Sequence, residues 1–174
     1  MKEEQRIYNS FINGDKKSLE YLVEKYSNDL INFIKKYVQR TDIAEDIAQD
    51  VFVYLLVNKP KFDFKYELKT YLYTIARSRA LNAIKKEKKY VTEESNIVTY
   101  DNNEFEQIET NLDFKIALNR LPINYKDVLY LVEIEKLKYN EVCMILNKTL
   151  PQVKITAYRA RLKLKKELEK RYEK

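Results

Sequence analysis

Residues 58–70 read NKPKFDFKYELKT, a run in which lysines alternate with Phe62, Phe64 and Tyr66. Aromatic faces can hold bases that have left a duplex while lysines follow the phosphates, and that chemistry needs both residue types interleaved. The candidates are Lys61, Lys65 and Lys69 beside the three rings. Pro60 bars a continuous helix, so the run is expected as a loop. A second reading stays open, in which Phe62 and Phe64 fold back into the core. The next segment, YLYTIARSRALNAIKKEKK, has a helical period that turns Leu72, Ile75, Ala76, Ala80 and Ala83 inward. On its far side Tyr71, Thr74, Ser78, Asn82 and Lys85 form a stripe ending in Lys85, Lys86, Lys88 and Lys89. Residues 58–89 hold ten basic side chains against three acidic ones, so the stripe suits base edges and phosphates.

A second constellation lies near the end of the chain, where YNEVCMIL is followed by Asn147-Lys148-Thr149 and then LPQVKITAYRARLKLKKELEK. Asn147 sits where a left-handed residue is wanted. Thr149 can cap the second helix, Gln152 can cap back, and Pro151 is tolerated in a first turn. Leu150, Val153, Ala157, Ala160 and Leu164 make a buried stripe, and Gln152, Ile155, Tyr158, Arg159 and Leu162 face away. Two short helices joined by a tight turn, the second capped and basic, read as a helix-turn-helix. Gln and Arg can make bidentate contacts to adenine and guanine, and Ile155 can touch a thymine methyl. The alternative is a solvated basic helix.

A third face is acidic. A helix expected to open at Asp42, with Glu45 three residues later as in a capping box, buries Ile43, Ala44, Ile47, Ala48, Val51, Tyr54 and Leu55. Glu45, Asp46, Gln49, Asp50 and Val53 fall opposite. Such a face is often only solvated, but a valine among carboxylates also suits docking on a basic protein.

Helices must position all three. Among 174 residues there are one glycine and three prolines, so the residues that punctuate hairpins are nearly absent and an all-α fold is expected. Residues 3–11 read as a helix, Gly14-Asp15 as a turn with Asp15 capping, and Leu22, Val23, Tyr26, Leu30, Phe33, Ile34 and Tyr37 as a core stripe. Residues 112–121, 124–136 and 139–146 complete a second helical set, with Pro122 as a break. Charge divides the chain further. Residues 1–89 carry 18 basic and 13 acidic side chains (net +5), residues 90–113 seven acidic and no basic (net −7), and residues 114–174 fifteen basic and seven acidic (net +8). The expected organisation is therefore two small helical domains, 1–89 and 114–174, joined by a flexible acidic linker at 90–113, the second domain a helix-turn-helix.

The same composition excludes much enzymology. With no His, one Cys and one Gly, the chain offers no imidazole base, no disulfide or zinc knuckle within itself, and no phosphate-binding glycine loop. No catalytic residue, metal or cofactor is expected. No apolar run reaches membrane-spanning length, and MKEEQRIYNSF carries charge where a signal peptide needs an apolar core, so a cytoplasmic location without membrane insertion is expected.

DIAEDIAQDVFVYLL, TYLYTIARSRALNAIKKEKK and ALNRLPINYKDVLYLVEIEKLKYNEVCMILNKTLPQVKITAYRARLKL, in this order, resemble a bacterial RNA polymerase sigma factor of the extracytoplasmic-function type (group 4 of the sigma-70 family). The small sigma factors of clostridial toxin and bacteriocin loci are a similar group. The resemblance implies a non-enzymatic initiation factor that binds core RNA polymerase and promoter DNA. It implies that Glu45, Asp46, Gln49, Asp50 and Val53 dock on the clamp helices of the largest subunit, with a further contact to the flap region. It gives the loop from Lys61 to Lys69, and Tyr71, Thr74, Arg77, Ser78, Asn82, Lys85 and Lys86, the melting of the minus 10 element. It gives Thr149, Gln152, Lys154, Ile155, Thr156, Tyr158, Arg159 and Arg161 the minus 35 element. The linker would thread the RNA exit channel, and an anti-sigma factor is a further partner of such proteins. Tyr71 stands where the family usually has Trp, Ser78 for a common Asn, Asn82 for a common Asp, Lys136 for Gly, Lys138 for a small capping hydroxyl and Thr156 for a frequent Arg. Two rival functions are a helix-turn-helix regulator that acts without polymerase and a helical protein-interaction adaptor.

Overall fold

The computed structural model describes residues 3–38, 40–58, 62, 64–91 and 112–172, and these are helical without strands. Lys61 and residues 92–111 of the expected linker lie outside that range, as do the side chains of Lys88 and Lys89. The chain divides into two compact units between Asp101 and Asn102.

The first unit contains α1 (Glu3–Ile12), α2 (Lys16–Ile34), α3 (Thr41–Asn58) and α4 (Leu68–Val91). Gly14 takes φ +99° in the turn before α2, a conformation that suits glycine. Asp15 then caps α2, accepting from the Lys17 N–H at 3.2 Å and from the Ser18 hydroxyl at 2.6 Å. α2 packs against α1, α3 and α4, so Leu22, Leu30, Phe33 and Ile34 are fully buried. Tyr73 of α4 stacks on Phe33 with centroids 4.4 Å apart, and its hydroxyl donates to the Asp29 carbonyl at 3.4 Å.

Several boundaries differ from expectation. α3 opens at Thr41, with the Ala44 N–H already bonded to the Arg40 carbonyl at 3.1 Å. Asp42 therefore lies inside the first turn, where it pairs with Arg40 (Nε–Oδ1 3.1 Å) instead of forming a capping box with Glu45. α4 continues through Val91, past the expected linker start at 90, because its residues include no helix breaker, while α5 opens at Leu112 as expected but ends at Asn119. Phe52 and Tyr73 are buried although the inward stripes omitted them, while Val23, Ile43, Tyr54, Ile75 and Ala83 are only half-buried.

The second unit contains α5 (Leu112–Asn119), α6 (Ile123–Leu129), α7 (Tyr139–Leu146) and α8 (Leu150–Tyr172). Ala117, Leu118, Leu121, Leu129, Ala160 and Leu164 form its core, with Phe114, Tyr125 and Leu168 against them. Val153 and Ala157 are buried as expected, whereas Leu150 at the start of α8 is half-buried. The helix expected from 124 to 136 opens one residue earlier, as α6, and runs into a π turn, Tyr130–Ile134, closed by the Glu135 N–H on the Tyr130 carbonyl at 3.0 Å.

Lys136 leaves that turn at φ +55°, the left-handed region. Relief of that strain is worth about 1–2 kcal/mol, while glycine's extra unfolded freedom costs roughly 0.5–1 kcal/mol. The net gain is at most about 1.5 kcal/mol, so Lys136→Gly is expected to raise Tm by up to roughly 6 °C in calorimetry of the full chain. A lowered Tm would contradict this account of Lys136.

Candidate nucleic-acid interface

On α3, Glu45, Asp46, Gln49, Asp50 and Val53 are all exposed. The 3.6-residue period aligns Asp46, Asp50, Val53 and Val57 in one narrow stripe. Sequence reasoning missed Leu56 and Val57, which are 48% and 72% exposed and continue the apolar patch of Val53, itself 52% exposed. Their signal was available: they follow Val53 by three and four residues, the spacing of helix-face neighbours. Asp50 is partly compensated, since Arg79 Nη1 of α4 lies 3.5 Å from its Oδ2 and the same guanidinium covers the Tyr54 ring at 5.6 Å. The face is thus a carboxylate row ending in exposed aliphatic surface.

The loop before α4 brings its rings inward. Phe62 lies 5.7 Å and Phe64 5.4 Å from the Tyr8 ring of α1, and the two phenylalanines are 4.6 Å apart. Phe62 also tilts onto Tyr71 at 5.2 Å. The fold-back reading of the two phenylalanines therefore describes their placement, yet both stay half-buried and so keep an accessible edge. Phe64 holds φ +54°, an outlier for a bulky residue that its ring contacts must maintain. Tyr71, expected on the far side of α4, is half-buried instead because the loop folds against it. Burial, then Tyr54 through its charge and a hydrogen bond between the two hydroxyls, raises the Tyr71 phenol above its ordinary range. Burial and then Tyr71 push the Tyr8 phenol up to about 12. Both therefore remain neutral at working pH.

Other members of the proposed set are distributed unevenly. Lys65 is exposed and Tyr66 half-buried. Lys69 is drawn into the unit by Asp29 at 3.1 Å and by the Tyr73 ring at 5.4 Å. The Thr74 hydroxyl donates to the Thr70 carbonyl at 2.8 Å, so its hydrogen goes to the helix rather than outward. Arg77 is half-buried, while Ser78, Asn82, Lys85 and Lys86 are exposed along α4.

In the second unit, α7 starts with the Lys138 N–H donating to Glu141 Oε2 at 2.9 Å, the return half of a capping box, while the Glu141 N–H goes to the Lys138 carbonyl at 2.9 Å. It ends at Asn147, φ 51° and ψ 52°, with the Lys148 N–H on the Cys143 carbonyl at 3.0 Å and the Asn147 N–H on Met144 at 3.2 Å. That pairing is a Schellman closure, which fixes the turn of the helix pair. α8 then begins with the Thr149 N–H donating to Gln152 Oε1 at 2.9 Å. Gln152, Lys154, Ile155, Tyr158 and Arg159 are exposed together, and Thr149 lies exposed just before the helix. Two expected contacts are already engaged. The Thr156 hydroxyl donates to the Gln152 carbonyl at 2.7 Å, and Arg161 reaches Glu133 at 2.8 Å and the Tyr139 hydroxyl at 3.2 Å. Arg161 thus ties α8 to the π turn and to α7, a link between residues too distant in sequence to be foreseen.

Comparison with known proteins agrees with both units. The family model for sigma-70 region 2 matches residues 22–90, and that for sigma-70 region 4 matches residues 114–164. The chain is 32% identical over 161 residues to RNA polymerase sigma factor YlaC of Bacillus subtilis, covering 88% of this chain and 93% of that protein. It is 26% identical over 153 residues to ECF RNA polymerase sigma factor SigM of the same organism, covering 85% and 93%. Its fold is similar to that of the sigma factor RpoE, solved with the anti-sigma factor NepR from Bartonella quintana, at a TM-score of 0.70 and 22% identity over 88% of this chain and 98% of that one. The chain therefore belongs to the sigma-70 family of RNA polymerase sigma factors, in its extracytoplasmic-function branch.

Proposed function

We propose that this sigma factor divides its work among three faces. The acidic and aliphatic face of α3 docks on the clamp helices of core RNA polymerase. The aromatic cluster of the α3–α4 loop, with the exposed stripe of α4, opens the minus 10 element and holds an extruded base. The outward face of α8 reads the minus 35 element in the major groove, while the second unit meets the flap region. The segment 90–113, net −7, follows the basic RNA exit channel as a mimic of RNA charge. Strand separation is driven by stacking and phosphate contacts, and the chain supplies no catalytic group. Its place of action is the cytoplasm, with the polymerase; among the described residues no helix is long and apolar enough to cross a membrane. An anti-sigma protein is an expected competitor for these faces.

One observation carries the polymerase-dependent reading over a free-standing regulator. Val53, Leu56 and Val57 form an exposed apolar patch beside carboxylates on a helix where DNA would be repelled, so that face serves a protein partner. The isolated chain is accordingly expected to bind promoter duplex weakly, and to gain specific binding when core enzyme is added at fixed salt. Tight specific binding without core enzyme would favour the regulator.

Arg159 tests the reading helix. Arg159→Ala is expected to weaken holoenzyme binding to a minus 35-bearing duplex by about 10- to 100-fold and to relax preference at one base pair. A uniform loss across all sequences would make Arg159 a phosphate contact instead.

A further inference from the structure

Tyr8 lies on α1, outside the residues 22–90 that match region 2, and no role in promoter opening follows from the motifs. It is 2% exposed, yet its ring meets both loop phenylalanines edge-on, at interplanar angles of 68° with Phe62 and 82° with Phe64. Phe62 in turn tilts by 32° onto Tyr71. The rings thus form a continuous path from the core of α1 to the side chain assigned to base stacking. Phe64 adds a second reason to look for an anchor, since a phenylalanine at φ +54° holds that conformation only while its surroundings enforce it. Edge-to-face contacts are directional, so an aliphatic side chain at position 8 fills space without orienting the two rings.

We propose that Tyr8 is a positioning residue for strand opening, its ring fixing Phe62 and Phe64 in the geometry in which Tyr71 and the loop receive an extruded base. This inference rests on the base-capture reading above. It makes α1 part of the opening device without contact to DNA.

The test uses the full chain in holoenzyme with duplex promoter. Tyr8→Leu is expected to slow open-complex formation about tenfold, while core affinity and closed-complex affinity stay at wild-type values. Tyr8→Phe, which keeps the ring, should restore the rate. Ile7→Ala, a change at a half-buried aliphatic side chain of the same helix, should leave the rate unaltered. An unchanged rate in Tyr8→Leu overturns the proposal, and so does an equal defect in Ile7→Ala, which would assign the effect to docking of α1. Should Tyr8→Leu weaken core binding as well, opening is measured at core concentrations that saturate the variant: a rate about tenfold slower there upholds the proposal, and a wild-type rate overturns it. Tyr71→Ala separates the two levels. If it opens promoters normally, the base-capture reading falls; if it is defective while Tyr8→Leu is normal, only the role of Tyr8 falls.

Discussion

Replacing Asp46 by Lys and Val57 by Glu in one variant is expected to lower affinity for core RNA polymerase by about 100-fold or more. The two positions share a stripe of α3, and they act by different physics. Asp46 is exposed at the carboxylate end, so charge reversal sets like charges against a basic partner and slows encounter. Val57 is 72% exposed in the free chain, so its burial on docking releases water from apolar surface, and a carboxylate there must be desolvated without a partner. Asp46 is a cleaner choice than Asp50, whose reversal would place a lysine beside Arg79 and disturb the α3–α4 contact. Neither substitution touches the core, so helical circular dichroism should match wild type and Tm should move little. Affinity should be measured at several ionic strengths. Added salt should weaken the wild-type complex and narrow the charge-dependent part of the difference, leaving the part due to Val57. Unchanged affinity with intact helicity would remove α3 from the docking surface.

The outline of both units was legible because a helix announces itself through local rules. Asp15 beside Gly14, Asn147 at the end of α7 and Gln152 behind Thr149 act within four residues of one another, and the structure has them in those geometries. The acidic face of α3 was legible for the same reason. What the wheel could not give was the number of neighbours around each helix. α3 meets both α2 and α4, so more than one stripe is enclosed and Phe52 is buried next to exposed Val53. Tyr73 is buried because Phe33 offers it a stacking face from α2, a contact with no local signature.

The candidate site shows the same division. Side chains on an exposed helix flank, such as Ser78, Asn82, Ile155 and Arg159, lie where periodicity put them. Side chains long enough to reach another element do not follow that rule. Lys69 finds Asp29, Arg79 finds Asp50, and Arg161 finds Glu133 and Tyr139. Each pair is exposed enough to contribute modestly to stability, so its consequence is chiefly geometric. Arg161, expected as a DNA contact, also joins α8 to the π turn and to α7, on the same helix as Arg159 and Tyr158. Apolar residues with no visible work in a helix pattern were the other omission. Leu56 and Val57 lie beyond the last obvious carboxylate; their spacing from Val53 places them beside it on the helix, and their exposure in the folded unit shows that the core does not take them up.

Tyr71→Ala is expected to reduce promoter opening by about 10- to 100-fold, the range set by loss of one base–aromatic stack. Closed-complex affinity should stay within about threefold, because that step depends on α8 and phosphate contacts rather than on an extruded base. The measurement is permanganate reactivity of minus 10 thymines, or fluorescence of 2-aminopurine placed there, in complexes with holoenzyme. Since Tyr71 also contacts Phe62 and is bonded to Tyr54, alanine alone confounds stacking with support. Tyr71→Phe removes only the hydroxyl and its bond to Tyr54, and Tyr71→Trp enlarges the stacking surface that the family usually provides at this position. If stacking dominates, opening follows ring area, with Trp at or above Tyr, Phe near Tyr and Ala far below. If the Tyr54 hydrogen bond dominates, Phe falls with Ala and Trp gives no gain. Four variants with equal opening would show that the ring takes no part in capture. The half-buried position of Tyr71 in the free chain makes the first ordering the expected one, because its ring is already held in place by Phe62 and the ring, more than the hydroxyl, makes that contact.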